Sequence, residues 1–172
     1  MASGDTLLTL TASNGISPAA TAAAFGVRAG GSTPAESVPV ISFDAATDEF
    51  IDFYGIMPQS YAGTTGLTLK LFWSAASATS NDCIWSAAFR SMEDDAEDID
   101  TSHSYAFNSV TDTAPSASGE VTVSSITFTD GADADSVGAG DQFILRVSRD
   151  ADNGSDTMAG DAELWSVEIR ET

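Results

Sequence analysis

The chain has few basic residues, and this shortage excludes several classes of partner. Only 6 of its 172 residues are Lys or Arg, against 26 Asp and Glu, so the formal net charge is −20. A nucleic-acid-binding surface needs clustered Lys and Arg to displace counterions from phosphates. An anionic membrane surface attracts basic segments in the same way. We therefore predict that the protein binds neither nucleic acid nor membranes.

The chain also has only one cysteine and one histidine, which removes most of the chemistry that these residues carry. Cys83 alone forms neither an intrachain disulfide nor a cysteine zinc site, and its apolar neighbours predict a buried side chain. His103 lies among Thr and Ser residues and is predicted to be a solvated loop residue. No Gly-x-Ser-x-Gly elbow or Gly-x-x-x-x-Gly-Lys loop occurs. We predict that the protein is not an enzyme.

A secretory signal is missing from the start of the sequence. Residues 1–5 contain neither the basic stretch nor the apolar stretch of a signal peptide. The Ala-rich segment 19–25 is too short and too weakly apolar to cross a membrane. We therefore predict that the protein is made in the cytoplasm.

Helical periodicity is absent as well, and strand patterns take its place. Nine runs alternate between apolar and polar residues, and turn residues such as Gly, Pro, Asp and Ser separate them. The runs are 5–12, 37–43, 49–57, 66–74, 82–92, 104–111, 120–129, 140–149 and 161–170. This pattern predicts an all-β fold, an antiparallel β-sandwich of about eight or nine strands that is jelly-roll-like.

The length and pattern of the chain indicate one β-sandwich domain over residues 1–172. Residues 13–37 are the least patterned stretch, and we expect them to form an extended arm or a long loop. Within 120–129 the apolar positions change phase at Ser124 and Ser125, which predicts a β-bulge or a corner where the strand switches sheets.

The acidic loop before the last strand is the best candidate for a metal site. Asp150, Asp152 and Asp156 lie close together in sequence, and carboxylate oxygens are the ligands that Ca²⁺ prefers. The helical calcium-loop pattern fails because Gly154 is not at the sixth position of the loop. A weak calcium site and a set of solvated acidic loops are both compatible with this sequence, and no other cofactor is indicated.

The last strand is the best candidate for a subunit interface. Trp165, Val167 and Ile169 share one face under regular alternation, and Leu164 lies on the other. Apolar residues on both faces predict that a neighbouring subunit covers one of them. Trp165 as a platform for a sugar ring is the alternative interpretation, whereas Trp73 and Trp85 are predicted to pack in the core.

Three strings suggest a family. They are the start Met-Ala-Ser-Gly-Asp-Thr-Leu-Leu, the segment 41–49 and the segment 149–164. The sequence resembles small structural proteins of tailed phages and prophages. This resemblance implies a capsid decoration (cement) protein or head fibre that forms homotrimers on the major capsid protein. It also implies a location on the virion surface after synthesis in the host cytoplasm.

Two other classes of function remain open at this stage. One is a binding module, either a part of a phage tail that binds a receptor or a carbohydrate-binding β-sandwich module. The other is an enzyme, which a cleft with converging carboxylates would indicate. Double-sheet jelly rolls occur both in viral capsids and in sugar-binding lectins, so the predicted fold does not separate these functions.

Overall fold

The computed structural model describes residues 4–172. Residues 1–3, part of the segment that lacks a signal-peptide pattern, lie outside the described residues. The prediction of an all-β antiparallel sandwich is confirmed, with eleven strands rather than eight or nine. The strands are β1 (Thr6–Thr11), β2 (Gly15–Ile16), β3 (Ala24–Ala29), β4 (Ser37–Phe43), β5 (Glu49–Ile56), β6 (Leu67–Ala75), β7 (Asp82–Met92), β8 (Asn108–Thr113), β9 (Thr122–Phe128), β10 (Gln142–Arg149) and β11 (Ala162–Glu171).

The first sheet, sheet A, contains six strands around β11. Its order is β3-β4-β11-β6-β9, and β1 also pairs with β11. One edge of β11 changes partner along its length, because Ala162–Leu164 pair with β4 and Ser166–Arg170 pair with β1. The other edge pairs with β6 throughout.

The second sheet, sheet B, contains five strands in the order β2-β5-β10-β7-β8. The pairing of β10 with both β5 and β7 is regular over all eight of its residues. Regular antiparallel pairing places opposite residues on the same face of the sheet. Side chains from four strands therefore line up in rows across sheet B.

The core lies between the two sheets and is aromatic. Trp85 makes edge-on contacts with Phe43 and Trp73, at centroid distances of 5.0 and 5.6 Å. Both tryptophans are fully buried, as the sequence predicted, and Cys83 is buried too. The indole nitrogen of Trp73 donates a hydrogen bond to the Ser124 hydroxyl at 2.7 Å.

Residues 13–37, expected to form an arm or a long loop, contain two strands. Gly15–Ile16 pair with β5 in sheet B, and Ala24–Ala29 pair with β4 at the edge of sheet A. Every residue of β3 is at least partly exposed, so the strand has no buried apolar face. Alternation of apolar and polar residues could not reveal a strand of this kind.

The prediction of a bulge or a sheet-switching corner at Ser124 and Ser125 is wrong. β9 pairs with β6 without a register shift, and Ser124 points inward. The inward serine is explained by its bond to Trp73, which satisfies two buried polar groups at once. No helix within residues 4–172 is long and apolar enough to span a membrane.

Candidate functional site

The outer face of sheet B carries a cavity whose floor is one row of residues. Phe50 of β5 lies opposite Ser148 of β10, Ser148 lies opposite Ser86 of β7, and Ser86 lies opposite Ser109 of β8. These four residues line a cavity of about 240 Å³ together with Phe107, Asp48 and Asp150.

The hydroxyl groups on the floor differ in their bonding. The Ser86 and Ser109 oxygens are 2.7 Å apart and form a hydrogen bond. Ser148 is only 4% exposed, yet its hydroxyl has no hydrogen-bond partner among residues 4–172. Buried polar side chains normally have a partner. The Ser148 hydroxyl is therefore free to bond to a molecule in the cavity.

Two phenylalanines form the apolar part of the cavity. The rings of Phe50 and Phe107 have centroids 6.2 Å apart and planes tilted by 51°. Phe107 is 40% exposed and directly precedes β8. Tyr105 continues this cluster, with its ring centroid 5.9 Å from that of Phe107.

The segment between β7 and β8 reaches this position because two arginines hold it against sheet B. Arg90 donates a hydrogen bond to the carbonyl of Asp98 at 2.8 Å. The guanidinium of Arg146 lies over the Tyr105 ring, 4.5 Å from its centroid. His103, predicted to be on a loop, lies in this segment with Nε2 3.6 Å from an Asp135 oxygen.

Arg146 is bound on its own sheet and has little to offer a ligand. It donates two hydrogen bonds to Asp52, at 2.7 and 2.8 Å. These bonds, together with the charge of Asp52, raise the pKa of Arg146 against the effect of burial, so it stays cationic. Burial raises the pKa of Tyr105, and the charge of Arg146 opposes that rise. The row of sheet B next to the cavity floor is therefore paired within itself and supports the cavity.

The structure corrects the predicted set of calcium ligands. Asp48 precedes β5 and Asp150 follows β10, so pairing of Glu49 with Arg149 places the two aspartates side by side. Carboxylate oxygens of Asp48, Asp150 and Asp152 lie within 4.8 Å of one another and could hold a cation. The sequence predicted Asp150 and Asp152 but missed Asp48, which is 102 positions away from Asp150.

Asp156 is not part of this cluster. Its carboxylate is almost fully buried and receives hydrogen bonds from Arg149 at 2.8 and 3.0 Å. Arg149 also donates to the carbonyls of Met158 and Gly160, at 2.6 and 2.8 Å. This buried pair fixes the course of the β10–β11 loop and thereby the position of Asp150 at its start.

The interface candidates of β11 lie in two different places. A register shift between Leu164 and Ser166 makes Trp165 an extra residue, at the point where β11 changes partner from β4 to β1. The alternation therefore changes phase, and Leu164, Val167 and Ile169 are all fully buried in the core. The prediction that both faces of β11 are apolar is therefore wrong. Of the four candidates, only Trp165 lies on the outer face of sheet A.

Comparison with known proteins places the fold. No protein-family model matches the chain, and no curated protein sequence matches it. The fold is similar to the CBM22-1 xylan-binding domain from Paenibacillus barcinonensis Xyn10C, with a TM-score of 0.55 and 10% identity over 99% of this chain and 96% of that one. This likeness supports a jelly-roll-like sandwich.

Two further solved structures are similar over nearly the whole chain. One is the carbohydrate-binding module CBM6cm-2 from Cellvibrio mixtus lichenase 5A, with a TM-score of 0.43, 10% identity and coverage of 98% of this chain and 99% of that one. The other is the module TmCBM27, with a TM-score of 0.45, 8% identity and coverage of 99% of both chains. The expected virion location, homotrimer and capsid partner stay predictions.

Proposed function

We propose that the protein is a carbohydrate-binding β-sandwich that holds a sugar in the cavity of sheet B. The observation that carries this proposal is the Ser148 hydroxyl, which lies on the cavity floor and has no hydrogen-bond partner among residues 4–172. A ligand hydroxyl can bond to it without breaking a bond within the protein, so the gain is not offset by a loss elsewhere.

The walls of the cavity fit the two kinds of surface that a sugar ring presents. The C–H groups of a pyranose ring form an apolar face, and Phe50 and Phe107 offer apolar contact. The hydroxyls around the ring need hydrogen bonds, which Ser148 and the Ser86–Ser109 pair can give and accept. Sites for small ligands combine apolar walls with a few placed polar groups in this way.

The size of the cavity limits the ligand. Its volume of about 240 Å³ is below the range of about 300–1,000 Å³ that is usual for larger organic ligands. The cavity therefore suits one sugar residue, either a chain end or a side branch. The fold also supports the proposal, because the CBM22-1 structure, with a TM-score of 0.55, is a xylan-binding domain.

Isothermal titration calorimetry with soluble xylo-, manno-, cello-, galacto- and glucosamine oligosaccharides tests the proposal. We expect at least one of these series to bind the unmodified protein at a ratio of one. Phe107→Ala is expected to weaken that binding at least about tenfold, because it removes the exposed aromatic wall. Ser148→Ala should weaken it less, by loss of one hydrogen bond.

Val27→Ala is the matched control. Val27 is 67% exposed on β3 in sheet A, away from the cavity, so its truncation should leave affinity unchanged. Failure of every oligosaccharide series to bind a folded sample would overturn the proposal. Equal loss of binding in the Val27 and Phe107 variants would place the site elsewhere.

A role on the virion is a separate question, which sugar binding does not decide. A capsid decoration protein and a receptor-binding tail part both use a β-sandwich without catalysis. Cryo-electron microscopy of virions that contain this chain tests the location, with density at threefold capsid positions expected for decoration. Light scattering tests the homotrimer, and a monomer at micromolar concentration would contradict it.

A further inference from the structure

Within the described residues, 4–172, the carboxylates beside the cavity have no cationic partner. Asp48 and Asp150 line the cavity, and Asp152 joins them in one cluster. Among residues 4–172, no Lys, Arg or His forms an ion pair with any of the three. The nearby Arg146 and Arg149 are occupied by Asp52 and Asp156.

The unpartnered Ser148 hydroxyl opens into the same cavity as two of these carboxylates. The acidic cluster therefore adjoins a built polar and aromatic floor, and is not an isolated group of surface acids. A ligand that lies on Ser148 and against Phe50 extends toward Asp48 and Asp150, since all four residues line one small space.

We propose that the cavity takes an amino sugar, with its protonated amino group bound by Asp48 and Asp150 and with Asp152 as the third acceptor beside them. This inference rests on the proposed function and names the sugar class. Three carboxylate oxygens within 4.8 Å of one another match the three donors of a primary ammonium group. Hydrogen bonds between ions are stronger than those between neutral groups.

The same charges select against acidic sugars. A uronic acid in the cavity would place a third negative charge beside Asp48 and Asp150, and the protein as a whole carries a formal charge of −20. Like charges brought this close repel strongly in a partly buried site. The order of affinity is therefore amino sugar, neutral sugar and, last, uronic acid.

Titration with three trisaccharides of equal length tests this order. The ligands are a glucosamine trisaccharide, its N-acetylated form and a galacturonic acid trisaccharide, in one mildly acidic buffer that keeps the glucosamine amino groups protonated. We expect the glucosamine form to bind at least about tenfold more tightly than the N-acetylated form. No binding is expected for the galacturonic acid form.

Variants locate the preference. Asp150→Asn and Asp48→Asn should each remove most of the preference for the amine over the neutral trisaccharide. Asp94→Asn is the matched control, because it removes the same charge from an exposed position at the other end of the face. Thermal melting of each variant shows whether it is folded.

The outcomes separate this inference from the proposed function. If the neutral trisaccharide binds as tightly as the amine, the amino-sugar inference is wrong and sugar binding stands. If nothing binds, both are wrong. If Ca²⁺ raises the melting temperature and Asp150→Asn removes that rise, the carboxylates hold a metal ion, and the amino-sugar inference is again overturned.

Discussion

The outer faces of the two sheets both carry polar side chains, but they differ in how these are bonded. On sheet A the indole of Trp165 donates to Ser74 at 2.9 Å, and Ser74 in turn donates to Glu163 at 3.1 Å. Glu163 is also paired with Arg28. On sheet B the Ser148 hydroxyl has no hydrogen-bond partner among residues 4–172. Sheet A also has an unpartnered buried atom within these residues, Arg170 Nε, but the Ser148 hydroxyl differs because it opens into a cavity.

Replacement of the buried Arg149 at the end of β10 should lower the stability of the fold most. Arg149→Met leaves the buried Asp156 carboxylate without its cation, and the expected loss is about 3–5 kcal/mol in the free energy of unfolding. Urea denaturation measures it. Arg28→Met is the control, since its pair is partly exposed and should cost about 1 kcal/mol or less. Equal losses in the two variants would contradict the assigned role of Arg149.

A second experiment tests which residues of β11 belong to the outer face of sheet A. Ile169→Ala creates a cavity in the core and should cost about 2–5 kcal/mol. Trp165→Phe keeps an outer ring and loses only the bond to Ser74, so about 0.5–1.5 kcal/mol is expected. Thermal denaturation at low protein concentration measures both. The assigned phase is wrong if the order is reversed.

The sequence predicted the strands well because most of them have one buried face. The predicted run 66–74 matches β6 to within one residue at each end, and buried residues alternate along most of it. It failed where a side chain's direction depends on another strand. Ser124 points inward to meet Trp73, and Trp165 is bulged because β11 changes partner. Neither contact is encoded in local alternation.

The cavity could not have been predicted for the same reason. Its floor joins Phe50, Ser86, Ser109 and Ser148, and only the register between four strands brings them together. One local signal was present, since Ser86 lies in an otherwise apolar run. The acidic loop after β10 indicated negative charge at the cavity end of sheet B. Asp156 of this loop has a structural role instead.

Paired serine substitutions are the most direct test of the contrast between the faces. Ser74→Ala leaves the Trp165 indole and Glu163 each short of a partner, so a loss of about 1–3 kcal/mol in stability is expected. Ser148→Ala removes a hydroxyl that bonds to nothing, and stability should change by about 0.5 kcal/mol or less. Chemical denaturation distinguishes them. A large loss in the Ser148 variant would mean that its hydroxyl is already satisfied.

The smallest expected effect is a pH dependence on sheet A. Burial alone would raise the pKa of Glu168, but hydrogen bonds from Arg170 and Thr6 and the charges of Arg170 and Lys70 hold it below the usual 4.5. Because the folded pKa is lowered, this carboxylate stabilises the fold above pH 4.5 and the contribution is lost as pH falls through the folded pKa. Melting temperatures from pH 7 to 3 should therefore fall less steeply for Glu168→Gln. An unchanged slope would contradict this.

The position of β11 has a consequence for the order in which the molecule can assemble. Three strands, β1, β4 and β6, pair with β11, although β1 leaves the ribosome more than 150 residues before β11 does. Sheet A therefore cannot close during synthesis of the first ten strands. Until β11 emerges, the edges of β4 and β6 that pair with it lack their hydrogen-bond partner, and unpaired strand edges make this the stage most exposed to aggregation.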